Sequence, residues 1–121
     1  MDEIKVLYAE DSSLAVVSIR RLLKPFACAL THHWTVEEAK EVYETGKFDL
    51  VILDGTTQRI AGERDDGWKW AKELWEAGQA VVVLSSSFAD GYPGVPFVGK
   101  DAPDPVAQIL EMYAAGELVK R

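Results

Sequence analysis

Glu10, Asp11, Asp54, Ser85 and Lys100 are the side chains best suited to chemistry, and each directly follows a short apolar run. LYA precedes the acidic pair, VIL precedes Asp54, VVL precedes Ser85 and FVG precedes Lys100. If those runs are neighbouring strands, three carboxylates, a hydroxyl and an ammonium meet at one rim of a sheet. Carboxylates that close repel, and without a cation at least one of them holds its proton to higher pH. Magnesium resolves the conflict, because it takes about six oxygens, usually one or two carboxylates together with waters and phosphate oxygens. Glu10, Asp11 and Asp54 are the candidate ligands, and the loop after Asp54 offers a backbone carbonyl, that of Thr56, as another. With the local charge neutralised, Asp54 is a carboxylate nucleophile for a phosphoryl group. Lys100 would face the equatorial phosphoryl oxygens, and Ser85 would donate a hydrogen bond to one of them.

The elements that must position this set alternate along the whole chain. Residues 4–9, 27–31, 48–53, 80–84 and 95–98 read as five strands, and the runs DLVILD and AVVVLS are apolar almost without interruption, as in parallel strands covered on both faces. Between them the apolar spacing turns helical. Ala15, Ile19, Leu22, Leu23 and Phe26 share one face of a first helix, which Pro25 stops. Thr35 and Glu38 form a capping box for a second helix, with Val36, Ala39 and Tyr43 inward and Gly46 at its end. A third starts near Asp65 or Asp66 as N-cap, carries Trp68, Trp70, Leu74 and Trp75, and ends at Gly78. Residues 86–94 hold two serines, two glycines and a proline, so the fourth connection is a degenerate helix of at most a turn or two. Asp104 and Pro105 open the last helix, with Val106, Ile109, Leu110 and Tyr113 on its inner face. This alternation predicts an α/β fold: a doubly wound five-stranded parallel sheet in the flavodoxin-like order 2-1-3-4-5. Its ligands bind beyond the carboxyl ends of strands 1 and 3.

At these residues the chain resembles the CheY-like receiver domains of two-component response regulators. The resemblance runs through YAED, VILD, VVLS and FVGK and covers nearly the whole chain. It implies a single receiver domain over residues 1–121 with no output domain, acting in phosphorelay signal transduction. Glu10 and Asp11 would be metal ligands, Asp54 the phosphorylation site, Ser85 the switch hydroxyl, Phe97 the switch aromatic and Lys100 the phosphoryl-contacting lysine. The implied cofactor is Mg2+. The implied partners are a sensor histidine kinase or a phosphotransfer protein as donor, and a downstream protein of unknown identity. Such a domain is not an enzyme beyond its own phosphoryl transfer and dephosphorylation. The sequence departs from the family in three places. Asp101 replaces the usual proline after the lysine, the loop GTTQRIAGERDDG after Asp54 is long and lacks the common Met-Pro pair, and Ser86 stands where Ala or Gly is frequent. The step of 15 residues from Ser85 to Lys100 is also short.

Composition narrows the alternatives. A chain of 121 residues with 48 % hydrophobic content suits one domain with one core. A net charge of −7 with scattered Lys and Arg argues against a nucleic-acid footprint. No apolar run is long enough to span a bilayer, and the acidic start MDEIKV is unlike a signal peptide. Cys28 is the only cysteine and reads as a small buried hydrophobe, so the expected compartment is the reducing cytoplasm. Trp68, Trp70 and Trp75 read as core, and His32 and His33 as surface residues after the edge strand, away from the site. Two rival functions remain. One is a receiver-like protein-interaction module that is never phosphorylated. The other is a phosphatase of the haloacid dehalogenase type, whose DxDGT motif VILDGTT resembles, but Ile52 occupies the position of that family's nucleophile and cannot form an aspartyl-phosphate.

Overall fold

The computed structural model describes residues 3–55, 66–85 and 95–120. Five strands, β1 (Ile4–Ala9), β2 (Cys28–His33), β3 (Leu50–Asp54), β4 (Val81–Ser85) and β5 (Phe97–Gly99), form one sheet. Its order is β2-β1-β3-β4-β5 and every pairing is parallel. Four helices, α1 (Ser13–Leu23), α2 (Val36–Thr45), α3 (Asp66–Glu76) and α4 (Pro105–Ala114), connect or follow the strands. The predicted α/β class and strand order both hold. Residues 86–94, expected as a degenerate helix, lie outside the described residues, as do Thr56 and Asp65.

Strand pleating divides the core into two layers. Val6, Tyr8, Leu50, Ile52, Val82, Leu84 and Val98 pack with Val16 and Ile19 of α1 and Val106 and Ile109 of α4. Their neighbours Leu7, Ala9, Val51, Leu53, Val81 and Val83 pack on the other side with Val36 and Ala39 of α2 and with Trp68, Trp70, Ala71 and Leu74 of α3. The central strands are buried on both faces, which is why DLVILD and AVVVLS read as unbroken apolar runs.

Local signals set the helix ends. The Ser12 and Thr35 side chains accept from the backbone N–H groups of Ala15 and Glu38, and Asp104 accepts from Ala107. The Glu38 carboxylate of the expected capping box reaches back to the Trp34 N–H at 3.2 Å, one residue before the cap. Gly78 closes α3 at φ 87°, with Gln79 N–H on Leu74 O and Gly78 N–H on Trp75 O. That paired pattern requires a left-handed residue, which glycine supplies without strain.

Candidate functional site

The sheet register assembles the site. Tyr8 pairs with Ile52, and each is followed two residues later by a carboxylate, Glu10 and Asp54, on the same face of the pleat. Val98 lies on that face too, and Lys100 follows it by two. Lys100 is held at the rim by its backbone N–H, which donates to Ser85 O at 2.9 Å. Three strands thus deliver Glu10, Asp54 and Lys100 to the same corner.

Lys100 Nζ lies 2.8 Å from Glu10 Oε1 and 3.4 Å from Asp54 Oδ1. Glu10 has no solvent exposure and Asp54 keeps only 4 %. Ligand oxygens of Glu10, Asp11 and Asp54 all lie within 4.8 Å of one another, and Asp11 is the most exposed of the three. Burial, followed by the charge of Glu10, pushes the Asp54 carboxyl up to about 8 against the opposing pull of Lys100. One ammonium among three carboxylates leaves the cluster net negative.

Asp54 Oδ2 is buried and has no hydrogen-bond partner among the described residues. A buried carboxylate oxygen without a donor is costly unless something else approaches it. An oxygen-only donor set of this charge fits a hard divalent cation such as magnesium, with Glu10, Asp11 and Asp54 as the residues that would hold it.

Ser85 ends β4, nine-tenths buried, beside Gly99 in the ladder. Phe97 is turned outward, 40 % exposed, with its ring 6.0 Å from that of Trp68 and inclined to it at 61°. Trp68 itself is buried, and its indole nitrogen covers Gly55, so close that a Cβ there would lie 2.4 Å from Nε1. Gly67 presses harder still: a Cβ on it would come within 1.7 Å of the Asp54 carbonyl oxygen. Gly67 and Trp68 N–H groups both donate to Gly55 O, so the start of α3 is laced to the residue after Asp54. Asp66, read as a possible cap, is the first residue of α3, buried, with its side chain accepting from Gly67 N–H at 2.9 Å.

Two residues play a larger part than their sequence positions suggest. His32 is not a surface residue beyond the edge strand: β2 runs on to His33, and His32 Nε2 donates to the Glu10 carbonyl at 2.9 Å. The cause is the long pairing of β2 with β1, which carries residue 32 level with Tyr8. Tyr8, taken only as part of a strand, donates its hydroxyl to Glu10 Oε1 at 3.0 Å. Its two-residue spacing from Glu10 on a strand was the signal available for it. Trp68 stands beside the site, whereas Trp70 turns away and meets Tyr43 edge-on at 5.6 Å.

With this geometry in hand, solved structures give a consistent answer. A CheY-like response regulator receiver domain from Methylobacillus flagellatus superposes with a TM-score of 0.74 at 17 % identity, covering 93 % of this chain and 99 % of its own. A response regulator receiver protein from Sinorhizobium medicae gives 0.70 at 22 % identity, covering 96 % and 94 %. SdrG from Sphingomonas melonis gives 0.69 at 22 %, covering 93 % and 97 %. The chain has the receiver-domain fold. No family model matches it, and no curated protein matches it in sequence. Within the receiver fold, Glu10, Asp11 and Asp54 form an acidic cluster that fits a phosphorylation site. No helix among the described residues is long and apolar enough to cross a membrane.

Proposed function

We propose that the chain is a receiver domain that accepts a phosphoryl group on Asp54 in a magnesium-dependent reaction and thereby switches a protein-binding surface. The observation that carries this reading is the asymmetry of the Asp54 carboxylate. Oδ1 is committed to Lys100 at 3.4 Å, while buried Oδ2 has no partner among the described residues and sits in the acidic cluster. One oxygen therefore faces the lysine, and the other is an unsatisfied buried acceptor that a bound cation would complete.

Bound magnesium would supply positive charge for the nucleophile and for the phosphoryl oxygens. Asp54 forms the new oxygen–phosphorus bond while the donor's phosphorus–nitrogen bond breaks, and the departing imidazole takes up a proton. Lys100, already near Asp54 Oδ1, is placed to hold charge that builds on the transferred group. Ser85 is assigned the hydrogen bond to a phosphoryl oxygen, and Phe97 the aromatic that follows it. The Thr56 carbonyl remains a proposed ligand outside the described residues. The donor is a sensor histidine kinase or a phosphotransfer protein of the cytoplasm, and the switched surface passes the signal on by protein contact.

Intact-mass measurement with acetyl phosphate tests the reading. One phosphoryl group is expected in the presence of magnesium, none after chelation and none in Asp54→Asn. Equal labelling of wild type and Asp54→Asn refutes the assignment.

A further inference from the structure

Glu10 is fixed at every polar group it has. Its N–H donates to His33 O at 3.0 Å, its carbonyl accepts from His32 Nε2, its Oε2 accepts from Ser12 N–H at 3.3 Å, and its Oε1 accepts from both Lys100 and Tyr8. Among these contacts the Tyr8 hydroxyl and the Lys100 ammonium are the side-chain donors to the carboxylate itself. Tyr8 is fully buried in the layer between the sheet and helices α1 and α4, so its ring is held by packing and its hydroxyl has little freedom to turn elsewhere. A carboxylate with no solvent exposure depends on such donors for both its charge and its rotamer.

Tyr8 and Lys100 share one oxygen. A Glu10 carboxylate held by Lys100 alone would draw the ammonium toward itself and away from Asp54, since Lys100 already lies nearer Glu10. A second donor on Oε1 spreads that charge over two partners and keeps Lys100 bridged between the carboxylates. It also pins the carboxylate in the orientation that groups it with Asp11 and Asp54.

We infer that Tyr8 is a positioning residue of the cation site, acting through Glu10 by its hydroxyl hydrogen bond. This rests on the proposed function, in which Glu10 belongs to the magnesium-binding cluster. Tyr8 touches neither cation nor phosphoryl group, so its effect is carried entirely by the orientation and charge of Glu10. Donors that orient metal-binding side chains are typically worth about 10–100-fold in metal affinity.

A double-mutant cycle read by magnesium titration of tryptophan fluorescence separates this role from simple packing. Trp68, against Gly55, is the reporter. Tyr8→Phe should weaken magnesium binding about tenfold. In the Glu10→Gln background the same substitution should change affinity less than about twofold, because its route of action is gone. Equal losses in both backgrounds, or no loss in the first, overturn the inference. If Tyr8→Phe does not fold, wild-type protein labelled with 13C at tyrosine Cζ decides. The Tyr8 resonance should move with the fluorescence midpoint as magnesium is added, and a stationary resonance overturns the inference. Wild type that binds magnesium and labels at Asp54, with an additive cycle, leaves the proposed function standing and removes only the role of Tyr8. Wild type that does neither removes both.

Discussion

At the scale of single residues, Asp54 carries a pH dependence whose sign follows from its burial. In the unfolded chain it ionises near 3.8, whereas in the folded protein it keeps its proton up to about 8. Between those values the folded state binds more protons than the unfolded one, so stability falls as pH rises across the window. Urea unfolding of metal-free protein should give a higher midpoint at pH 5 than at pH 8, and Asp54→Asn should flatten the difference. Magnesium should oppose the trend, because the cation binds the ionised carboxylate and releases the proton. Lys100 supports a second expectation. Removing an ammonium 3.4 Å from Asp54 takes away a competing positive charge and leaves two buried carboxylates facing each other. Lys100→Ala should therefore bind magnesium at least as tightly as wild type, unfold more easily without it by about 3 kcal/mol, and lose most of its phosphorylation rate. Parallel binding and labelling measurements check the separation; weaker metal binding in this variant would place Lys100 in a different role.

At the scale of elements, the junction between β3 and α3 is where the site depends on backbone contact. Both N–H groups at the start of α3 converge on Gly55 O, and Gly67 leaves no room for a Cβ against the Asp54 carbonyl. Gly67→Ala has rigid backbone as its obstacle, so it should cost at least about 3 kcal/mol and disturb magnesium binding as well. Gly78→Ala offers a contrast on the same helix. Nothing lies within 4 Å of its added Cβ, and only its positive φ is strained, which costs about 1–2 kcal/mol. Chemical denaturation with a magnesium titration on each variant should find both defects in the first and only the stability loss in the second. Along the chain Gly67 only closes the run GTTQRIAGERDDG and Gly78 only ends a helix, yet a single close approach across the fold makes Gly67 part of the site.

For the whole molecule, a cation held by Glu10, Asp11 and Asp54 would join β1 to β3, elements far apart in the chain, and would bind only when they are folded together. Magnesium at about one hundred times its dissociation constant should stabilise the protein by about 2.7 kcal/mol. Asp11→Ala, the most open carboxylate of the cluster, should abolish most of that gain while barely altering the metal-free protein. Urea unfolding at matched ionic strength measures it, and an undiminished gain in Asp11→Ala rules that residue out as a ligand. The outward Phe97, edge-on to Trp68, links the β5 edge to the residue after Asp54. Hydrogen exchange with and without beryllofluoride should show a response at Gly67 and Trp68, whose N–H groups donate to Gly55 O beside Asp54. Unchanged exchange at Gly67 and Trp68 would contradict this.

What the amino-acid order determined by itself is whatever depends on near neighbours. Thr35 with Glu38 and Asp104 with Pro105 announce helix starts, and the two-residue pleat of LYAED and LVILD places a carboxylate at each strand end. Those local rules were enough for the fold class, the strand order and the membership of Glu10, Asp11 and Asp54 in one cluster. Tertiary structure decided which oxygen faces what. The sequence treats Lys100 as a partner for phosphate, but the fold sets its ammonium closer to Glu10 than to Asp54, even though β3 lies between β1 and β4. Residue order says nothing of how far β2 extends along β1, and that length brings His32 onto the Glu10 carbonyl. Nor does it weigh Tyr8 as more than core, since a tyrosine within a strand buries its ring in many proteins and finds a particular acceptor only when the sheet closes around it. Burial is the physical reason for the difference: near-neighbour patterns specify which face a side chain takes, while charge, donor count and protonation at a dry site depend on every strand that meets there.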